Sequence, residues 1–127
     1  MIHGWTTIEQ SHKLTELGIK ARTADMYYSW VGTAYLLHAE SYNELIAWRK
    51  EYAKTHKHPS CRISIIPCWS LTALLELMPK GSHIEKKNSC YACYVVDTKP
   101  IEASTPIEAA FEMVLWLIEQ GHIKVNK

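Results

Sequence analysis

The stretch Thr105–Gly121 constrains the fold more than any other part of the chain. Thr105-Pro106-Ile107-Glu108 carries every part of a helix start: a capping hydroxyl, a proline where no N–H is needed, and a glutamate that closes a capping box. Gly121 supplies the left-handed residue that ends such a helix. The spacing predicts a helix over 106–120, about four turns long. Projected at 100° per residue, Ile107, Ala110, Phe111, Val114 and Ile118 form a core stripe. Ala109, Met113 and Trp116 form a second apolar stripe. A helix apolar on two sides needs two covers. A sheet is the expected first; the 71–78 region or a second copy of the chain is the second. With few spare elements in the chain, a self-association surface through Ala109, Met113 and Trp116 is the expectation.

The rest of the chain supplies short elements. Thr6 with Glu9 and Thr7 with Gln10 offer two overlapping capping boxes for a helix ending at Gly18. Residues 26–31 and 34–38, rich in Tyr, Trp and Leu, read as two strands bent at Gly32. Ser41 opens a helix to about Thr55, followed by a basic linker over His56–Ser60. The segment around 40–62 reads as an insertion or mobile stretch. Arg62–Ile66 is a short extended run. Ser70 caps the next helix, with Trp69 stapled against Leu74, and Pro79 stops it. His83–Lys87 and Cys90–Asp97 form a hairpin, and Ile101–Ala103 is a third strand. These elements predict a single α+β domain over residues 1–127, with a short antiparallel sheet packed against three to four helices including 106–120.

The ordered set TTIEQS (6–11), TADM (23–26), WSLTALLELMP (69–79) and TPIEAAFEMVLWLIEQG (105–121) resembles a family of small proteins without assigned activity from Bacteroidales, their mobile elements and their phages. The likeness is weakest over 35–66. It implies context rather than chemistry: a role in host takeover or defence evasion, with no catalytic residues to carry over.

Composition narrows the function classes. A formal net charge of +1 lacks the global basic signature of a duplex nucleic-acid binder. No apolar run reaches the roughly 18–20 residues of a membrane span, and the start carries no secretory pattern. Four Cys without such a signal point to reduced thiols in a cytoplasm, which the resemblance implies is that of a bacterial host cell. Cys90-Tyr-Ala-Cys93 is one C-x-x-C pair on a strand, where positions i and i+3 face opposite ways. Buried thiols are therefore the better reading than zinc, and no cofactor is expected. No Walker loop, dinucleotide fingerprint, H-E-x-x-H or G-x-S-x-G occurs, and no catalytic residue is assigned.

Five Trp and seven Tyr against one Phe favour amphipathic rings. The capped helix starts at Thr7, Ser70 and Thr105 each offer N–H groups to an anion. The expected function is a non-enzymatic binding protein that sequesters a small anionic, nucleotide-like ligand. Trp69, Tyr27, Tyr28 and Trp30 would stack it, and Ser70, Arg22 and Arg62 would hold its charge. The alternatives are a protein–protein adaptor or inhibitor with an exposed aromatic face, and a small nucleotide-modifying or hydrolytic enzyme using His and Cys.

Overall fold

The computed structural model describes residues 4–30, 33–40, 44 and 65–125. Helix α1 spans Ile8–Glu16 and opens on one of the two overlapping boxes. The Thr7 hydroxyl accepts from the Gln10 N–H at 3.1 Å, and Gln10 returns a bond to the Thr7 N–H at 2.9 Å. Thr6 is committed elsewhere. It is fully buried, its hydroxyl lies 2.8 Å from that of Ser11, and it accepts from the Trp69 N–H at 3.1 Å.

After a 3₁₀ turn over Ala21–Thr23, β1 (Met26–Trp30), β2 (Tyr35–His38) and β3 (Ile65–Cys68) form one antiparallel sheet in the order β2-β1-β3. Pro67, which has no N–H to give a ladder, sits on the edge strand where that loss is tolerated. Helix α2 (Leu71–Glu76) then leads to a second antiparallel sheet of β4 (His83–Lys86), β5 (Tyr91–Tyr94) and β6 (Ile101–Ala103), in the order β4-β5-β6. The architecture is α+β, as the sequence predicts, but with two three-stranded sheets where one was expected. Strand pairing partners are set by non-local contacts, and spacing along the chain does not encode them. The bend at Gly32, the helix opening at Ser41 and the basic stretch to Arg62 lie outside the described residues.

Helix α3, Pro106–Glu119, has its Thr105 hydroxyl accepting from the Glu108 N–H at 3.2 Å. Beyond its C-cap, Gly121 takes φ +76°, a conformation that costs a side-chain-bearing residue. The helix packs on the β4-β5-β6 sheet on one side and on α2 on the other. The second cover is thus supplied within the chain. Ala109 and Met113 are fully buried, so they offer no surface to a second copy, which corrects the self-association expectation for both. Trp116 is half-buried, and Leu117 rather than Ile118 completes the buried stripe. One apolar cluster joins Leu14, Trp69, Leu74, Met78, Cys93, Met113 and Val114.

The hairpin cysteines behave as packed thiols. Cys93 is fully buried with its thiol 3.7 Å from the Met78 sulfur, while Cys90 is half-buried. Burial pushes the Cys93 thiol up to about 11 and raises that of Cys68 as well. Two outcomes are expected. At pH 8 iodoacetamide alkylates Cys90 while Cys93 stays unmodified until the chain unfolds, read by peptide mass mapping. Stability gained by keeping the Cys93 thiol neutral is complete below the ordinary thiol range and is lost as pH rises toward about 11, and the raised Cys68 thiol acts in the same direction. Denaturation midpoints should therefore fall between about pH 8.5 and 11, and Cys93→Ser should not reproduce that profile in full.

Candidate ligand groove

The residues singled out in the sequence do not gather at one place. Trp69 is fully buried, and its indole N–H donates to the Thr23 hydroxyl at 2.8 Å. It shares the core cluster with Leu74, as a staple does, and offers no face for stacking. Ser70 caps α2, but its own N–H and hydroxyl both donate to the Asp25 carboxylate, the N–H at 2.9 Å. An anion from within the chain already occupies that helix start.

The other two starts are satisfied similarly. The Thr7–Gln10 box closes α1, with Glu9 in its first turn. At α3, Ser104 donates to the Glu108 carboxylate at 3.2 Å beside the Thr105 cap. Both first turns carry a carboxylate, which offsets the positive end of the helix dipole.

Strand alternation separates the expected platform. Tyr28 and Trp30 share one face of β1; Tyr27 lies on the other, stacked on His38 at 4.5 Å between ring centroids. Trp30, 43% exposed, meets Tyr35 edge-on at 5.1 Å. Arg22 is exposed on the 3₁₀ turn, and Arg62 lies outside the described residues. Trp116 stacks with His122 at 6.0 Å and borders a separate groove of about 350 Å³ formed with the Asp97–Ile101 turn.

Of the seven residues expected to bind a ligand, Tyr28 lines a groove of the described surface. This groove, about 570 Å³, is bounded by Trp5, Thr7, Ile8, Glu9, Tyr28 and Leu37. Its floor follows from register: Tyr28 on β1 stands directly opposite Leu37 on β2. Its wall follows from the segment Gly4–Thr6, which runs antiparallel to Trp69–Leu71. Trp5 bridges Ser70, the Thr6 N–H donates to the Trp69 carbonyl at 2.9 Å, and the Leu71 N–H donates to the Gly4 carbonyl at 2.9 Å.

The Tyr28 hydroxyl fastens floor to wall, donating to the Thr6 carbonyl at 2.7 Å. Burial, and next the neighbouring Cys68 thiol, raise its pKa well above the ordinary phenol range, so it remains a donor. The ring is thereby held while one face borders the groove. Glu9 carries the one carboxylate among the described lining residues. Sequence reasoning missed Trp5 and Leu37. Neither belongs to a cap, a stripe or a motif, and they meet only because β2 folds back beside β1.

Comparison with protein families, with curated proteins and with solved structures gives no match. No helix among the described residues is long and apolar enough to cross a membrane.

Proposed function

We propose that the protein is a binding module, and that the Trp5–Tyr28 groove takes a small ligand with a flat apolar body and a cationic or hydrogen-bond-donating group. The observation that carries this reading is the groove's lining: two aromatic rings and two aliphatic side chains, with a carboxylate at the rim. Concave, mostly apolar sites with few polar groups are the usual form of small-molecule sites. The rings supply stacking area, and Glu9 supplies charge complementarity to an amine.

A nucleotide would need a cation where Glu9 stands. Support for the anionic version is correspondingly weaker, because Trp69 is inaccessible and Ser70 is engaged by Asp25. The mobile-element setting implied by the four sequence motifs fits a sequestering role, in which the ligand is held rather than converted.

The test is a matched pair of ligands, an arylethylamine and the arylacetate of the same ring, titrated by calorimetry. The amine is expected to bind about tenfold more tightly, and Glu9→Gln to remove most of that preference. Tighter binding of the carboxylate would overturn the assignment and restore the anionic reading.

A further inference from the structure

On the opposite face of the β2-β1-β3 sheet, away from the groove, the Ser29 hydroxyl lies 2.7 Å from Nε2 of His38. The two residues are diagonal neighbours. His38 pairs directly with Tyr27, two positions along β1 from Ser29, and strand twist brings one such diagonal close. The His38 ring cannot turn freely, because it lies on the Tyr27 ring with an interplanar angle of 14°. The Tyr27 hydroxyl donates to the Glu40 carboxylate at 3.4 Å, which places a negative charge at the phenol end of that stack. Ser29 is 8% exposed and His38 half-buried, with Leu36, directly opposite Ser29, half exposed beside them.

A hydroxyl within hydrogen-bond reach of an imidazole whose plane is fixed by a third residue is the local arrangement of an activated nucleophile. For the serine to donate, the imidazole must be neutral with its proton on Nδ1 and a lone pair on Nε2. We propose that Ser29 is a nucleophile toward small esters and that His38 is its general base. Ser29 Oγ attacks the acyl carbon as its proton passes to His38 Nε2. The C–O bond to the leaving group breaks, and the leaving alkoxide takes that proton. Water then attacks the acyl-serine, gives a proton to His38, and the released Ser29 oxygen takes it back. Atoms and charge balance with water as the co-reactant. The small exposed fraction of Ser29 limits the class to slim, unbranched acyl groups. The pair is independent of the groove, since Tyr28 and Leu37 point to the other side of the sheet.

An alkyl fluorophosphonate tests the nucleophile on the full chain. Attack by Ser29 Oγ on phosphorus displaces fluoride, and the proton leaves through His38, so one adduct forms with loss of HF. The expected result is a single adduct mapped to Ser29 by peptide mass spectrometry and absent in Ser29→Ala. The rate should fall at least about 100-fold in His38→Ala and be partly restored by added imidazole. His38→Gln, which retains a polar side chain of similar reach, should label as slowly while melting near the wild-type temperature. That separates loss of the base from loss of fold. No adduct at Ser29, or His38→Ala labelling as fast as wild type, would overturn the proposal and leave the Ser29–His38 bond a purely structural cross-strand contact. Neither result bears on ligand binding in the groove.

Discussion

Trp69→Ala is expected to lower unfolding free energy by about 3–5 kcal/mol, a large part of the roughly 5–15 kcal/mol that holds a domain folded. The side chain is fully buried and belongs to the cluster that joins α1, α2 and α3. Its removal deletes apolar burial, opens a cavity that rigid neighbours cannot fill, and leaves the Thr23 hydroxyl without its indole donor. Trp69→Phe separates these effects. It keeps a ring in the core and loses the 2.8 Å bond, so it should cost less than the alanine change, about 1–3 kcal/mol. Urea denaturation followed by far-ultraviolet circular dichroism reads both. A Trp69 that served as an open stacking platform would tolerate alanine with a loss below about 1 kcal/mol, so the measurement decides between staple and platform.

Met113→Glu should have a still larger effect and leave little folded protein. Met113 is fully buried in the core cluster on α3, a helix that packs against both the β4-β5-β6 sheet and α2. A carboxylate there must either stay ionised in an apolar site or bind a proton at neutral pH. Either costs several kcal/mol, in the range of the most damaging single substitutions. Met113→Leu, close in volume, should cost less than about 1.5 kcal/mol. Trp116→Glu, at a half-buried position, should remain folded with a smaller loss. Were Met113 instead part of a contact between copies, Met113→Glu would give a folded monomer. Analytical ultracentrifugation with circular dichroism tells the two outcomes apart, and the structure predicts loss of the folded signal.

These two residues also mark how far the sequence was legible. Helix α3 was readable because its signals are local: Thr105, Pro106, Glu108 and Gly121 each act within one turn. The same holds for α1, α2 and strand β6. Periodicity identified Ala109 and Met113 as apolar on a second side of the helix, but not what covered it. That depended on α2 lying across α3, a tertiary fact. Period-two alternation separates Tyr27 from Tyr28 and Trp30, and closeness in sequence does not put the three rings on one face. Thr6 and Thr7 presented equivalent caps, and the buried demand of Trp69 N–H and Ser11 for a hydroxyl partner decided which was used.

The candidate site was legible at Tyr28 alone. Trp5 reaches the groove through a long-range bridge to Ser70, and Leu37 through its register opposite Tyr28 on the neighbouring strand. The Ser29–His38 contact needed both the β1–β2 register and its twist. Asp25 had no sequence mark beyond a polar turn, yet its carboxylate fills the helix start where an external anion was expected. Helix starts in a sequence advertise N–H groups; only the fold tells whether the chain has already met their demand.

Chemical-shift mapping by ¹H–¹⁵N and methyl spectroscopy with the arylethylamine tests the binding account most directly. The account predicts concentration-dependent shifts at the Trp5 indole N–H, the Ile8 and Leu37 methyl groups and the Tyr28 amide. Saturation should be lost in Leu37→Glu, and the Asp97–Ile101 turn should stay unmoved. Shifts centred on Arg22 or on the Trp116 groove, or saturation unchanged in Leu37→Glu, would contradict it.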